Sequence, residues 1–310
     1  MSNSLAGRNV LAIGDLSKEE ILAVLEQATR LKEQCDFGVA KFNVLDGYIL
    51  ATLFYEPSTR TRLSFESAML RLGGGVISVA EAMKSSSASK GETLSDTARM
   101  VSGYADVIVQ RHPAAGSAQE AAAGATVPLI NAGDGIGEHP TQALLDLYTS
   151  QRERGQIDGL RICLAGDLKN GRTVHSLSRA LTHWNVTLTL AAPQTLAMPA
   201  GIVAELRQKE LAVHETGDLA AAMAASDVVY VTRIQRERFA DPAEYERMKG
   251  SYVVNRTLIE RTNPSITVMH PLPRVDEIAT DVDALPNAAY FRQADNGVWV
   301  RMALLSLVVG

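Results

Sequence analysis

Short apolar runs and amphipathic stretches alternate along most of the chain. The run 49–54 has the length and composition of a buried strand. After it, apolar residues recur at three- and four-residue steps as far as the glycines at 73–75, which predicts a helix that ends there. Because parallel strands need crossover connections, repeated alternation of this kind indicates a parallel sheet with helices on both faces.

The alternation comes in two series, and a helix predicted after Pro140 lies between them. We therefore predict an α/β fold with two doubly wound parallel-sheet domains linked by two helices. The predicted boundaries are 1–138 for the first domain, 139–154 for the bridging helix, 155–290 for the second domain and 291–310 for a C-terminal helix. The predicted strands are 49–54, 76–79, 107–109, 127–130, 160–165, 186–190, 212–214 and 228–231. Other predicted helices are one that starts with a capping box at Ser17 and Glu20, and those at 93–104, 118–123, 172–184, 202–209, 219–225 and 298–309.

The composition suits two ordinary domains and argues against several classes of partner. The 310 residues are 46% hydrophobic, which is enough for two cores. The net charge is −5 and the 30 Lys and Arg residues are scattered, which argues against nucleic acid. No apolar stretch approaches the ~20 residues that span a bilayer, so we expect a cytoplasmic protein without a membrane partner. Cys35 and Cys163 are the only cysteines, so neither a disulfide framework nor a zinc site is expected.

Between the first strand and the next helix, three hydroxyls and two guanidiniums lie within seven residues. Ser58 and Thr59 fall where the first N–H groups of the helix lack intrahelical partners and the helix dipole is positive. Arg60 adds a planar cation that can bind two oxygens at once. We predict an anion site that suits a phosphate. The alternative is that a hydroxyl only caps the helix and that Arg62 pairs with Glu66.

His139 stands directly before a proline, whose fixed φ suits the first turn of a helix. The helix dipole disfavours imidazolium there, so a neutral His139 ring could donate a hydrogen bond to a substrate carbonyl. Gln142 follows within one turn, and Arg111 at the end of a predicted strand could reach the same anion. The alternative is a histidine whose hydrogen bonds are satisfied in the seam between the domains. His112 and His270 also precede prolines, and we interpret both as structural residues at strand exits.

Two arginines of the second domain follow predicted strands. Arg172 ends the turn at 166–172, which lacks the G-x-G-x-x-G spacing of a dinucleotide site and would place Asp167 close to a pyrophosphate. This mismatch disfavours an NAD-dependent enzyme, and Arg172 suits a carboxylate instead. Arg233 comes just after strand 228–231. A surface salt bridge is the alternative for either arginine.

Five stretches of the chain, in the same order, resemble motifs of the aspartate and ornithine carbamoyltransferases. The first is 58–62 with 64–66, which is similar to the carbamoyl phosphate loop of that family. The others are 90–93, 111–113, 139–142 and 270–274. Any one of them is a weak signal, but five in register extend the resemblance over nearly the whole chain.

The resemblance implies direct transfer of the carbamoyl group of carbamoyl phosphate to the amine of L-aspartate, an early step of pyrimidine biosynthesis, without a covalent intermediate, cofactor or metal. Arg60, Thr61 and His139 are then catalytic residues that donate hydrogen bonds to the carbonyl oxygen as it gains charge. The C-terminal helix is implied to pack back on the first domain. The implied carbamoyl phosphate ligands are Ser58, Thr59, Arg60, Thr61, Arg111, His139, Gln142, Pro271, Leu272 and Pro273. The implied aspartate ligands are Lys90, Arg172, Arg233 and Gln235.

The resemblance also implies a homotrimer with active sites shared between subunits, because in the family the loop that contains Lys90 reaches into a neighbouring subunit. The sequence leaves open whether a separate regulatory chain binds. Ornithine or another amine is the alternative substrate within the family. Ornithine enzymes carry a cysteine in place of Pro271 and need an acidic partner for their substrate, so Pro271 and the two arginines favour aspartate. A catalytically silent binding or scaffold module is the alternative from another class.

Overall fold

Each of two compact units contains one parallel β-sheet, which confirms the predicted α/β class with two doubly wound domains. The computed structural model describes residues 4–39, 41–82, 90–234, 250 and 252–310. The first unit comprises Met1–Leu145 and Asp295–Gly310, and the second unit is Asp146–Ala294. The domain boundaries proposed from the sequence, at 138, 154 and 290, stay predictions.

The sheet of the first unit has four parallel strands. Its strands are β1 (Ile49–Phe54), β2 (Gly75–Ala80), β3 (Val107–His112) and β4 (Leu129–Asp134), and the helices among them are α1 (Lys18–Asp36), α2 (Thr59–Arg71), α3 (Leu94–Val101) and α4 (Ser117–Gly124). The strand order is β2-β1-β3-β4, so the chain runs from β1 to one edge and then crosses to β3. The carboxyl ends of β1 and β3 therefore form the topological switch point, where ligands bind in such sheets.

The sheet of the second unit has five parallel strands and repeats this arrangement. Helix α5 (Pro140–Arg154) enters the unit and is followed by β5 (Arg161–Ala165), α6 (Arg172–Leu181), β6 (Thr187–Ala191), α7 (Ala200–Gln208), β7 (Ala212–Thr216), α8 (Leu219–Ala224), β8 (Val228–Val231), α9 (Arg256–Thr262) and β9 (Thr267–Met269). The strand order β7-β6-β5-β8-β9 puts the switch point at the carboxyl ends of β5 and β8. Helix α10 (Tyr290–Val309) then leads back into the first unit.

Local side-chain chemistry fixes several helix starts. Ser17 Oγ accepts a hydrogen bond from Glu20 N at 3.3 Å, and Glu20 Oε2 accepts one from Ser17 N at 3.0 Å, which confirms the predicted capping box of α1. Thr93 caps α3, and Asn255 caps α9, each through a side-chain oxygen that accepts an N–H three residues later. These bonds satisfy N–H groups that have no partner inside the helix.

Burial divides the first sheet into a buried centre and an exposed edge. All six residues of β4 and all but the first residue of β1 are buried, whereas no residue of β2 is fully buried. In the second unit, Cys163 of β5 is fully buried, and this burial raises the pKa of its thiol to about 12. Cys163 therefore behaves as a small apolar core residue.

Four described elements depart from the prediction, namely α10, β4, α9 and β9. Helix α10 begins at Tyr290, close to the predicted C-terminal boundary at 291 but well before the predicted apolar helix at 298–309. The first two turns of α10 give no apolar stripe, so periodicity alone places its start too late. Strand β4 continues past residue 130, since Asn131 Nδ2 donates to Leu11 O at 2.8 Å and a buried polar group with a partner does not end a strand. The prediction omitted α9, which buries only Ile259, and β9, which has three residues, because neither gives a periodic signal.

Candidate active site

The predicted anion site lies at the switch point of the first sheet. Phe54 at the end of β1 is in register with Arg111 in β3, and Tyr55 N donates to Arg111 O at 2.9 Å. The chain then continues through Ser58 into α2. The hydroxyl-rich helix start and Arg111, two motifs that are far apart in the sequence, therefore meet at one edge of the sheet.

Ser58 occupies the N-cap position of α2 in an extended conformation with φ −157° and ψ 98°. Its side chain makes no capping hydrogen bond, so the structure does not support the alternative that Ser58 serves only as a cap. The ion pair that formed part of this alternative is present, because Arg62 Nε lies 3.7 Å from Glu66 Oε1. Arg62 is thus engaged with its own helix.

Thr59, Arg60 and Thr61 form the first turn of α2. Thr61 is buried, whereas Thr59 and Arg60 are exposed. Neighbouring atoms still shield the Arg60 guanidinium in part, and this desolvation lowers its pKa from the usual value for arginine. The turn can therefore offer backbone N–H, hydroxyl and guanidinium donors to an anion at the positive end of the helix dipole.

Two carboxylates, Glu56 and Glu66, orient this region. Glu56 Oε1 accepts a hydrogen bond from Arg111 Nε at 2.6 Å, which fixes the plane of the guanidinium. Glu66 Oε1 accepts from Thr52 Oγ1 at 3.0 Å and from Ser78 Oγ at 2.7 Å. Because these hydroxyls belong to β1 and β2, Glu66 ties α2 to the sheet. The one sequence signal for Glu56 was its place beside the hydroxyl-rich segment.

His139 lies at the start of α5 and is almost fully buried, with 3% of its surface exposed. Its carbonyl accepts from Gln142 N at 3.0 Å and from Ala143 N at 3.2 Å, so it stands where the sequence predicts, at a helix N-terminus. Its Nδ1 lies 3.5 Å from Thr141 Oγ1. The Gln142 side chain is buried beside it in the first turn. A donor held in one place in this way is pre-organised for a fixed acceptor.

Asp134 connects the chain before His139 to the loop after Arg111. This carboxylate is 3% exposed, and it accepts from Glu138 N at 2.6 Å and from Gly116 N at 2.9 Å. Glu138 directly precedes His139, while Gly116 follows the strand that carries Arg111. A single buried carboxylate therefore fixes the spacing between two predicted ligands of the same substrate. The sequence predicts no role for Asp134.

The two arginines of the second unit follow neighbouring strands at its switch point. Ala165 at the end of β5 is in register with Val231 at the end of β8. Thr232 N donates to Ala165 O at 2.8 Å, so the segments that lead to Arg172 and Arg233 stay together. Both arginines are half-buried, with Arg172 at the first position of α6 and Arg233 two residues after β8.

The close approach of residue 166 to the backbone of Thr232 requires glycine at position 166. Gly166 has φ +109°, and a Cβ there would lie 2.3 Å from Thr232 O. Next to it, Asp167 is fully buried and its Oδ1 accepts from Asn170 N at 3.0 Å. A buried carboxylate at this position disfavours a pyrophosphate, which agrees with the absence of the dinucleotide motif.

The segment Pro271-Leu272-Pro273 follows β9, the strand beside β8, and thus lies on the same edge of the second sheet. Leu272 has φ +54°, and its peptide bond to Pro273 is cis. The flanking residues are held by side-chain contacts: His270 is buried against Glu277, and Arg274 pairs with Asp283. His270 is therefore a structural residue at a strand exit, as the sequence predicts.

Two family models match successive parts of the chain. Residues 8–152 match the aspartate/ornithine carbamoyltransferase carbamoyl-P binding domain, and residues 158–308 match the Asp/Orn binding domain of the same enzymes. The chain belongs to the aspartate/ornithine carbamoyltransferase family. The resemblance inferred from the five motifs is thereby confirmed.

Relatives of this carbamoyltransferase chain cover almost its whole length. It is 57% identical over 304 residues to the aspartate carbamoyltransferase catalytic subunit of Thermococcus onnurineus, which covers 98% of this chain and 97% of the relative. A solved catalytic subunit of M. jannaschii aspartate transcarbamoylase has a TM-score of 0.90 and 51% identity, and covers 96% and 97% of the two chains. Aspartate transcarbamoylase from Trypanosoma cruzi, solved with carbamoyl phosphate and aspartate, has a TM-score of 0.93 and 41% identity, with 99% and 98% covered.

The remaining residues that the carbamoyltransferase motifs predict are less fully described. Lys90 is exposed and lies just before α3. Gln235 and residues 83–89 of the loop next to Lys90 fall outside the described residues. Within the described ranges, no three His, Cys, Asp or Glu side chains are grouped to hold a metal ion. A search of the helices in the same ranges finds none long and apolar enough to cross a membrane.

Proposed function

We propose that the chain transfers the carbamoyl group of carbamoyl phosphate to the amine of L-aspartate, which gives N-carbamoyl-L-aspartate and phosphate. The observation that carries this proposal is the near full-length identity to aspartate carbamoyltransferase catalytic subunits. The product is a precursor for pyrimidine synthesis, which the names of these relatives imply. Ornithine is disfavoured as a substrate, because Pro271 replaces the cysteine of ornithine enzymes and two arginines follow the strands of the second unit.

In this proposal the first unit binds carbamoyl phosphate. The leaving phosphate is bound by donors at the start of α2 and by Arg111, whose guanidinium Glu56 orients. Arg60, Thr61 and His139 donate to the carbonyl oxygen, and Gln142 lies beside His139 in the same helical turn. The proposed phosphate ligands are Ser58, Thr59, Thr61 and Arg111, and the backbone of Pro271, Leu272 and Pro273 contacts the carbamoyl group.

The second unit binds aspartate in this proposal. Arg172 and Arg233 each pair with a carboxylate, because a planar guanidinium matches two carboxylate oxygens. Gln235 and Lys90 add further donors. A dicarboxylate amine needs this local positive charge, since the chain as a whole has a net charge of −5.

The reaction then needs no covalent intermediate. The lone pair of the aspartate amine attacks the carbamoyl carbon, and negative charge develops on the carbonyl oxygen. As the bond from carbon to the phosphate oxygen breaks, the attacking nitrogen loses a proton to the departing phosphate, which leaves as hydrogen phosphate. The protein contributes mainly by orienting the two substrates and by stabilising the developing oxyanion with fixed donors.

The proposal is tested by offering the purified chain carbamoyl phosphate with aspartate or with ornithine and measuring both carbamoylated products. We expect carbamoyl-aspartate and no carbamoyl-ornithine. Product from ornithine alone would identify an ornithine enzyme, and no product from either amine would indicate a silent module. N-(phosphonacetyl)-L-aspartic acid, which is bound in a solved T. cruzi relative, should inhibit the reaction.

We also propose that copies of the chain form a homotrimer with shared active sites. Strand β2 is at the edge of the four-stranded sheet of the first unit, and Ile77 on this strand is 42% exposed. Leu63 and Leu70 of α2 are 50% and 56% exposed, and their spacing of seven residues puts them on one helix face. Exposed apolar side chains on α2 and on the edge strand β2 support an interface between copies.

Replacement of Leu70 by glutamate should lower the mass in solution, because a charge would be buried in the proposed interface. Sedimentation equilibrium should give about three times the chain mass of 33.3 kDa for the parent protein and a smaller species for the variant. Phe37 is 90% exposed near the end of α1, and Phe37→Glu is the control that should leave the mass unchanged. A parent protein that sediments at 33.3 kDa would contradict the proposal. Whether a regulatory chain binds stays open. The cytoplasmic location stays a prediction.

A further inference from the structure

A buried histidine and a buried glutamate enclose the segment that follows β9. His270 is 1% exposed and Glu277 is 4% exposed. His270 Nε2 lies 2.7 Å from Glu277 Oε1, and Leu272 N donates to His270 Nδ1 at 2.8 Å. One imidazole therefore connects a fixed carboxylate to the backbone in the middle of Pro271-Leu272-Pro273.

These two contacts determine the tautomer of His270. Leu272 N–H donates to Nδ1, and Nδ1 can accept this hydrogen bond only through a lone pair. The ring proton is therefore on Nε2, which donates to Glu277. An imidazolium would carry a proton at both nitrogens and would lose the bond from Leu272. Glu277 thus selects the form of the ring that can bind the backbone.

Glu277 is itself fixed by the backbone of the same loop. Its Oε2 accepts from Val275 N and from Asp276 N, each at 3.1 Å. Burial alone would raise the pKa of this carboxyl, but the hydrogen bond from His270 and those from the backbone outweigh burial and lower the pKa. The carboxylate therefore stays ionised and closes the loop from 270 to 277.

Further bonds hold both ends of the segment. On the amino side, His270 N donates to Gln293 Oε1 at 2.8 Å, and Gln293 Nε2 donates to Asp146 Oδ1 at 2.7 Å. On the other side, Arg274 binds Asp283 and donates to Tyr290 OH at 3.1 Å. The peptide groups between 271 and 273 are therefore held in one conformation, including the positive φ of Leu272.

We propose that His270 and Glu277 are positioning residues that hold the backbone carbonyls at 271–273 to accept the NH₂ group of carbamoyl phosphate. This inference rests on the proposed function. Acetyl phosphate has the same phosphate and carbonyl but a methyl group in place of NH₂, so correctly placed acceptors favour carbamoyl phosphate over it. The pair therefore determines selectivity without touching the substrate.

Two substitutions separate the two contacts of the imidazole. Gln at 270 can place its amide near Nε2 and still donate to Glu277, but it offers no acceptor to Leu272 N. Asn at 270 can place its oxygen near Nδ1 and accept from Leu272, but it cannot reach Glu277. His214 on β7 is exposed, and His214→Gln serves as the control variant.

The experiment measures the dissociation constants of carbamoyl phosphate and acetyl phosphate by calorimetry, and the unfolding of each variant in urea. We expect His270→Gln to reduce the preference for carbamoyl phosphate about 10-fold, the upper end of what one hydrogen bond contributes. We expect His270→Asn to keep more of this preference but to unfold at lower urea concentration, because Glu277 loses its buried donor. His214→Gln should match the parent in both measurements.

The outcomes distinguish this inference from the proposed function. A parent protein that does not prefer carbamoyl phosphate would contradict the proposed function, and the inference would fail with it. A parent that shows the preference, together with an unchanged preference in His270→Gln, would overturn the inference alone. If both His270 variants were less stable but kept the parent's preference for carbamoyl phosphate over acetyl phosphate, the pair would have only a structural role. Faster hydrogen exchange at the Leu272 amide in His270→Gln than in His270→Asn would support the assigned contact.

Discussion

Replacement of Arg60 by alanine is expected to lower kcat for carbamoyl-aspartate formation by about 10²–10³-fold, the usual cost of removing one oxyanion donor. Arg60 lies in the first turn of α2, where the helix dipole adds to its positive charge. Lysine at this position should restore only part of the activity, because an ammonium group cannot bind two oxygens in the geometry of a guanidinium. Steady-state kinetics with both substrates saturating measure this loss.

Arg71 provides the matched control for Arg60. It lies in the last turn of the same helix, is exposed, and donates to Ser67 Oγ at 3.3 Å. Arg71→Ala should leave kcat unchanged, since it removes the same charge from the opposite end of α2. If Arg60→Ala turned over at the parental rate while remaining folded, the proposed anion site at the start of α2 would have to be abandoned.

Replacement of Arg233 by alanine should raise KM for aspartate by about 10- to 100-fold, as expected when a carboxylate loses a charged hydrogen-bond partner. The affinity for carbamoyl phosphate should stay the same, because the first unit holds its phosphate in the proposed mechanism. Inhibition by N-(phosphonacetyl)-L-aspartic acid should weaken in parallel, since this molecule carries the aspartate carboxylates. Initial rates over a range of aspartate concentrations provide the measurement.

The control for Arg233 is Arg207 of the same unit. Arg207 NH2 lies 3.0 Å from Glu215 Oε1, and both side chains are about half exposed. Arg207→Ala should therefore leave KM for aspartate at the parental value. Equal KM values in the Arg233 and Arg207 variants would favour the alternative of a surface salt bridge and would remove Arg233 from the site.

The sequence predicted where ligands bind more completely than how the ligand groups are held. A parallel sheet puts its loops at the carboxyl ends of its strands, so Ser58, Arg111, Arg172 and Arg233 could be placed from the alternation of elements alone. The pairing order of the strands was also required before these residues could be assigned to switch points. That order depends on contacts between distant segments and is not visible in a local pattern.

The supporting carboxylates show why the rest could not be predicted. Glu56 meets Arg111 across 55 positions of sequence, and the Asp134 carboxylate meets Gly116 across 18. In the sequence each is one acidic residue among 35, and only the fold identifies its donor. The apolar pattern places the start of α10 too late, at residue 298, for a related reason. Its first turns are stabilised by tertiary contacts such as the bond from Gln293 to Asp146, which an apolar periodicity does not reveal.

The first unit is assembled from two separate pieces of chain, 1–145 and 295–310, with the whole second unit inserted between them. The later piece contains α10, in which three apolar side chains are fully buried: Val300, Leu304 and Leu305. The core of the first unit is therefore incomplete until α10 has been synthesised. On the ribosome, the inserted unit can be completed while its host is still unfinished. A nascent chain released before α10 is made would therefore expose apolar surface to chaperones and proteases.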